Sequence, residues 1–259
     1  MTFHYLIVGT LTRDLQPTSG WRPGGSGWYA AQQLARWGYS AAVATPLMSR
    51  HLVTLPSTIA IFRIPSPQTT TFSNHYAGDQ RLQLISAVPE LLAWEALPPP
   101  WRSARIVHLA PLAHELVAIP PRSIFPDALI GLTAQGWLRT WDAAGQITPQ
   151  PWQPAPAALA QVDVVVVSEE DVGGDEDQVQ QWAQAGPITA LTRGSAGVTV
   201  WHAGQRYDIA AYPATVVDPT GAGDIWAAAF FSQLDQKVAV VEAAKWACRA
   251  AALAIGTPA

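Results

Sequence analysis

The sequence predicts an α/β fold built on a mainly parallel central sheet. Three observations carry that expectation. Short runs rich in Val, Ile, Leu or Ala, each bounded by polar, Pro or Gly residues, recur along the chain, as strands covered on both faces do. Helix-compatible stretches lie between them, the alternation that parallel strands joined by crossovers require. The composition, 49% hydrophobic and 13% charged over 259 residues, suits a chain with a full core and excludes a disordered, highly charged polymer. No seam divides the chain, so residues 1–259 are read as a single domain.

The elements follow in order. Phe3–Val8 reads as a buried strand ending at Gly9. Trp28–Trp37 is Ala- and Gln-rich and helical, stopped by Gly38. Ala41–Ala44 is a second strand, and Met48–Ser57 holds little pattern. Thr58–Ile64 and Thr69–Tyr76 are β-prone and separated by Pro65, Ser66 and Pro67 with no helix between them. They form either a small β excursion from the sheet or an ordinary surface hairpin. Arg105–Leu109, Ala128–Leu132 and Val162–Val167 are further strands, with Pro149–Pro156 a rigid connector before the last. Asp175–Ala185 is polar and helix-compatible. Thr189–Thr192, Val198–His202 and Arg206–Ile209 follow as strands. Two Ala-rich helices, about Asp224–Leu234 and Val238–Ile255, close the chain.

Composition narrows the function. A net charge of −4, from 15 basic and 19 acidic residues, leaves no cationic footprint for nucleic acid. One cysteine, Cys248, excludes a disulfide framework and a multi-cysteine zinc site. The N-terminus has no basic segment and too short an apolar run for a signal peptide, and no stretch reaches the roughly 18 apolar residues of a membrane span. A cytoplasmic location is expected. The six histidines, His4, His51, His75, His108, His114 and His202, show no metal-binding spacing and read as structural. The 12 tryptophans read as packing residues, with Trp21 and Trp28 the two placed to stack on a ligand.

The chemistry concentrates at Val217-Asp218-Pro219-Thr220-Gly221-Ala222-Gly223-Asp224. A strand ends in a Gly-Ala-Gly turn that opens an apolar helix. Small residues at a helix start leave its amides bare, and the helix dipole adds positive potential, so the turn suits a phosphate. Asp224 stands beside it as a base, which phosphoryl transfer to a hydroxyl requires. A side chain at Gly223 is expected to fill space the backbone needs. The alternative is a plain Gly-rich turn with Asp224 as helix cap.

The string D-P-T-G-A-G-D resembles the C-terminal signature of the ribokinase-like (PfkB) sugar kinases, and the likeness runs over nearly the whole chain. Val8-Gly9-Thr10-Leu11-Thr12-Arg13-Asp14 is similar to the family's first strand and substrate-binding Asp. Gly24-Gly25-Ser26-Gly27 resembles its Gly-Gly motif, and Thr192-Arg193-Gly194-Ser195-Ala196-Gly197 its T-x-G-x-x-G nucleotide loop. The resemblance implies a ribokinase-like α/β fold with a small β-lid, whose strands would lie within 10–22 and 58–78. It implies ATP-dependent phosphorylation of a sugar or polyol hydroxyl, with ATP and Mg2+ as cofactors. Asp224 would be the catalytic base, and Gly221, Ala222 and Gly223 the anion hole. Asp14, Gly24 and Gly25 would hold the substrate, and Thr192, Gly194, Gly197, Asp218 and Thr220 would lie along ATP. Expected partners are the small-molecule substrate and, through the lid, a second copy of the chain, with no nucleic acid and no membrane.

Several positions depart from the family pattern. Tyr29 stands where Asn is common. The magnesium motif N-x-x-E aligns with Ser168-Glu169-Glu170-Asp171, leaving Glu170 and Asp171 to order a hydrated Mg2+ or simply to start a solvated helix. Cys248 falls where many members place an Asn near adenine. The chain is short after Ala44, which implies a trimmed lid or a missing helix. Gln135-Gly136-Trp137-Leu138-Arg139 is similar to a Q-G-x-x-R segment of inositol 3-kinase-like members, which points to an inositol as acceptor, although Thr133 replaces an acidic residue usual there. A nucleoside kinase, with a base stacked on Trp21, Trp28 or Tyr29, and a non-catalytic sugar- or nucleotide-binding protein are the alternatives.

Overall fold

Alternate residues of the first strand point into two separate cores. Tyr5 and Ile7 pack with one set of helices, while Leu6 and Val8 pack on the opposite face, all four fully buried. That is the signature of a parallel strand covered on both sides. The computed structural model describes residues 3–18, 20–48, 55–77 and 80–258; His51 and most of the patternless stretch after Met48 lie outside the described residues.

In chain order the strands are β1 (Tyr5–Gly9), β2 (Thr12–Leu15), β3 (Trp21–Gly24), β4 (Ala41–Leu47), β5 (Ile59–Pro65), β6 (Thr71–Ala77), β7 (Gln80–Ala87), β8 (Ile106–Ala110), β9 (Leu129–Thr133), β10 (Arg139–Trp141), β11 (Ile147–Pro149), β12 (Val164–Ser168), β13 (Ile188–Thr192), β14 (Val198–His202), β15 (Gln205–Ile209), β16 (Ala214–Val216) and β17 (Gly256–Pro258). The helices are α1 (Ser26–Arg36), α2 (Pro156–Leu159), α3 (Glu176–Gln184), α4 (Ala222–Asp235) and α5 (Val240–Ile255). The central sheet has nine strands in the order β15-β14-β13-β12-β9-β8-β1-β4-β5. From β13 to β5 every neighbouring pair is parallel, and β14 and β15 add an antiparallel edge. The architecture is the mainly parallel α/β sheet that the sequence predicts, with a small second sheet beside it. Among the described residues no helix is long and apolar enough to cross a membrane.

A second sheet, β3-β2-β6-β7, stands off the first. The expected excursion differs in detail. Ile59–Pro65 pairs parallel with β4 as the edge of the central sheet, because its register continues from Ala41↔Ile59 to Leu47↔Pro65. The small sheet instead joins β6 to β7, a strand with no clear sequence signal, and takes β2 and β3 from the first loop.

The two faces are covered differently. On one, α1, α4 and α5 pack through Ala30, Ala31, Ala227, Ala228, Ala243 and Ala247, whose small side chains let helices approach closely. On the other, the segments from Ala87 to Ile106 and from Ala110 to Leu129 contain only 3-10 turns, at Trp94–Ala96, Pro99–Trp101 and Arg122–Ile124. Pro98, Pro99, Pro100, Pro111, Pro120, Pro121 and Pro126 explain this, since each removes a helical donor and crowds the preceding turn. Aromatic side chains fill the space instead. Trp101 packs edge-on to Phe3 at 4.8 Å, and Trp94 packs edge-on to the fully buried Phe125 at 6.1 Å. The Pro149–Pro156 connector is likewise anchored, with Trp152 stacked on Trp137 at 5.0 Å.

Gly131 sets the seat of α4. A Cβ at this position would lie 2.3 Å from the Phe231 ring. Gly131→Ala is therefore expected to destabilise the fold by about 1–3 kcal/mol, the range for overpacking a core. The denaturant midpoint measures it, and an unchanged midpoint would show that α4 is not held against β9 in this way.

Candidate active site

The central strands end together at one edge, and there the order of the sheet reverses. From β1 the chain builds β4 and β5 on one side, then β8, β9 and β12 on the other. Open parallel sheets bind ligands at such a point. A pocket of about 480 Å3 opens over it. Thr133, Ser168 and Thr192, at the ends of β9, β12 and β13, line its base. The small sheet contributes Thr12, Asp14, Phe72, Asn74 and Gln83. The start of α1 adds Gly25, Ser26 and Tyr29, β10 adds Arg139, and the turn before α4 adds Pro219 to Asp224.

Asp14 sits on β2 and is 9% exposed, so it is not the solvated loop residue that an isolated Asp would be. Thr12 Oγ1 donates to its Oδ1 at 2.8 Å. Across the antiparallel pair, Gly24 leaves the space the carboxylate occupies: a Cβ there would lie 2.2 Å from Asp14 Oδ2. Gly24 thus acts from beneath Asp14, whereas Gly25 lines the pocket itself.

The Gly-Ala-Gly turn is shaped by Asp218. Its Oδ1 accepts from the Thr220 amide at 2.9 Å and from Thr220 Oγ1 at 2.5 Å. These bonds, with Arg22 at 3.7 Å, hold the Asp218 carboxyl below the usual carboxylate range. Gly221 then turns left-handed, at φ 81°, and α4 begins at Ala222. A Cβ at Gly221 would lie 2.2 Å from Cγ of Tyr29, so this position must be glycine for both space and conformation. The expectation had placed that burden on Gly223. A Cβ at Gly223 meets nothing within 4 Å and would point into open space. The amides at the start of α4 have no acceptor within the helix and, with its dipole, favour an anion.

Asp224 lies on the first turn of α4, half-buried in the pocket. Desolvation pushes its carboxyl up to about 6, against a hydrogen bond from Ser26; Asp171 adds to the rise and Arg139 opposes it. Asp171 is itself fixed, accepting from Ser168 Oγ at 2.6 Å and from Gln135 Nε2 at 3.1 Å. Glu170 also lines the pocket. Among the described residues no cluster of three or more acidic, His or Cys side chains forms a metal cage. The donor set present, Glu170 and Asp171, fits a hydrated Mg2+ held mainly through water and donor phosphates.

The structure brings Asp14, Gly25, Thr192, Glu170, Asp171, Thr220, Gly221, Ala222, Gly223 and Asp224 to one pocket. Gly194 and Gly197 do not line it, and neither do Asp218 and Gly24, which shape it from behind. The loop after Thr192 is closed by a bond from the Arg193 amide to the Gly197 carbonyl at 2.8 Å. Arg193 then ties it to Glu169 at 2.9 Å and to Glu176 at 2.6 Å. Trp21 and Trp28 are outside the pocket; Trp21 packs under the Arg13 guanidinium at 5.1 Å. Cys248 is a packed thiol that accepts from Trp226 Nε1 at 3.3 Å. Sequence motifs did not place Asn74 or Gln83 here, since single polar residues in strands carry no recognisable spacing; Ser26 lay inside the Gly-Gly motif and Thr133 beside the Q-G-x-x-R likeness, but neither was assigned a role. Arg139 was marked only by the Q-G-x-x-R likeness; it is 8% exposed and reaches Gln83 Oε1 at 3.4 Å.

Comparisons with known proteins agree with the motifs. Residues 145–259 match the family described as pfkB family carbohydrate kinase. No curated protein sequence matches the chain. Among solved structures, a pyrophosphate-dependent kinase in the ribokinase family, complexed with a pyrophosphate analog and myo-inositol, superposes with a TM-score of 0.78 at 18% identity. That match covers 98% of this chain and 96% of the other. Arabidopsis thaliana ribokinase, complexed with ribose and ATP, gives 0.70 at 18% identity over 98% and 93% of the two chains. A Methanocaldococcus jannaschii nucleoside kinase gives 0.66 at 14% identity over 99% and 95%. The resemblance to the PfkB carbohydrate kinases is borne out over residues 145–259 by the family match, and the ribokinase-like α/β fold by the solved structures.

The two glycines of the anion turn are expected to behave differently. Gly221→Ala places an L-residue in the left-handed region against Tyr29 and should cost at least ~1–2 kcal/mol. Gly223→Ala enters open space on a helix and should leave stability equal or slightly raised. Urea midpoints of the two variants compare them, and equal losses would contradict the geometry of the turn.

Proposed function

We propose that the protein transfers a phosphoryl group from ATP to a hydroxyl of a small sugar or polyol, with an inositol the first acceptor to test. One observation carries the reading: a desolvated carboxylate, Asp224, stands on the first turn of α4 at the positive end of the helix dipole, beside the Gly-Ala-Gly turn and in the same pocket as Asp14. Asp14 and the Gly25 turn hold the acceptor. Asp224, ionised, takes the proton of one acceptor hydroxyl, and that oxygen bonds to the terminal phosphorus of the donor. The bond from phosphorus to the bridging oxygen breaks, and ADP leaves. The amides at the start of α4 stabilise the phosphoryl oxygens as charge shifts. Glu170 and Asp171 would hold Mg2+, which when bound neutralises phosphate charge. A carboxyl near 6 is mostly ionised at neutral pH yet more basic than an ordinary Asp, which suits a general base.

A second donor is favoured by a specific feature. Gly194 and Gly197 lie outside the pocket, while the anion turn lines it. Pyrophosphate needs only the latter, and three structural neighbours are described as pyrophosphate-dependent. The experiment is a panel of myo-inositol, sugars and nucleosides with ATP or pyrophosphate as donor, read by phosphorylated product. Product from a polyol or sugar supports the kinase reading, product from nucleosides alone selects a nucleoside kinase, and no product with any pair leaves a binding protein.

Asp224→Asn is expected to lower kcat by at least ~10²-fold, the scale for losing a general base. It should also raise stability at pH 7–8. The folded carboxyl titrates near 6 against 3.8 unperturbed, so the native state holds its proton more tightly and loses stability as pH rises across that interval. The amide has no such proton to lose. Wild-type activity, or a thermal midpoint lowered at pH 8, would remove Asp224 from this role.

The acid limb of kcat/KM is expected near pH 6, with activity falling about tenfold per pH unit below it, because only ionised Asp224 accepts the proton. A profile flat down to pH 5 would contradict the assignment.

A further inference from the structure

Two buried residues outside this chemistry end on the pocket. The Tyr5 hydroxyl lies 3.2 Å from His108 Nδ1, and His108 Nε2 lies 3.2 Å from Thr133 Oγ1. Tyr5 and His108 are fully buried, whereas Thr133, 8% exposed, lines the pocket at the end of β9. The chain of three polar groups thus crosses the sheet from β1 through β8 to β9, inside an apolar core. The Phe231 ring meets the imidazole edge-on at 5.0 Å.

The direction of the chain follows from counting hydrogens. Burial lowers His108 to about 3, so the imidazole is neutral and has one donor and one acceptor nitrogen. Burial raises the Tyr5 phenol, which keeps its hydrogen. Among the described residues that hydroxyl meets only His108. If Nδ1 carried the hydrogen, the Tyr5 O–H would be left without an acceptor in the core, a costly arrangement. With the hydrogen on Nε2, Tyr5 donates to Nδ1, Nε2–H donates to Thr133 Oγ1, and every buried donor is satisfied. Thr133 then keeps its own hydrogen to give. Its protein acceptor, the Leu109 carbonyl, is 3.4 Å away, long for an O–H donor.

We propose that Tyr5 and His108 are positioning residues that fix the Thr133 hydroxyl as a hydrogen-bond donor into the pocket, where it reads an oxygen of the acceptor and so helps select it. A hydroxyl free to rotate would donate or accept alike. One whose lone pair is occupied from behind prefers an acceptor oxygen in front, such as a polyol hydroxyl. This rests on the kinase reading for the identity of the ligand, but the polarity of the relay does not.

The relay is tested in the parent protein by 15N NMR of the histidine side chains, with His108→Gln used to assign the signal. A neutral imidazole with hydrogen on Nε2 is expected. Hydrogen on Nδ1, or an imidazolium at pH 7, would overturn the proposal. The selection step is tested with the acceptor that the parent phosphorylates. Thr133→Val should raise acceptor KM about tenfold and leave the ATP KM and the urea midpoint near the parent values, and Thr133→Ser should restore the acceptor KM. His108→Phe added to Thr133→Val should raise acceptor KM no further, since the hydroxyl it positions is gone. Unchanged acceptor KM in Thr133→Val overturns the proposal. Should the parent phosphorylate nothing, the kinase reading falls, and the tautomer still decides the relay.

Discussion

Everything at the pocket depends on how deeply α4 is held. Ile225 through Ser232 are buried, with the sheet below and α5 alongside. Phe231 presses on Gly131, and the alanines of α4 face those of α5. Such a helix cannot slide to relieve strain at its end. Its first turn is therefore fixed relative to the strand ends, and Asp224 is held where water solvates it poorly. The raised carboxyl follows from the desolvation of Asp224 at that position, with Asp171 adding to the rise. The destabilisation that follows at neutral pH is of the kind expected where a site is built for chemistry and not for stability.

The turn that starts α4 connects the sheet to the smaller elements. Gly221 lies against Tyr29 of α1, and Asp218 faces Arg22 of β3. Of these two contacts, only the one to Arg22 involves the small sheet. The Arg22–Asp218 pair is exposed on both sides and holds weakly, as surface pairs do. The Tyr29 contact is steric and does not yield. The turn is thus pinned to α1 and only loosely tethered to β3.

Much of this was legible in the sequence, for a physical reason. The parallel strands are buried on both faces, so their apolar runs at 5–9, 106–110 and 164–168 stand out against Pro, Gly and polar boundaries. The anion turn reads directly, because its chemistry sits in consecutive residues. The small sheet was less legible. Its strands are exposed in part, so Gln80–Ala87 carries no strong alternation, and the 59–65 strand was assigned to the wrong sheet. The helix-poor face was also hidden. Proline shows where a helix cannot be, but not that Trp94, Trp101 and Trp152 would replace it. Arg139 was announced only by the Q-G-x-x-R likeness, and Thr133 only as a departure beside it, because what each side chain does in the pocket is set by the path of the chain.

The central claim is that Asp224 is a desolvated base at the mouth of an anion cradle. The most direct measurement is a 13C NMR titration of the aspartate side-chain carboxyls, with the Asp224 signal assigned by its loss in Asp224→Asn. The account predicts that this one carboxyl titrates near pH 6. A midpoint at the ordinary aspartate value, about 4, would contradict it.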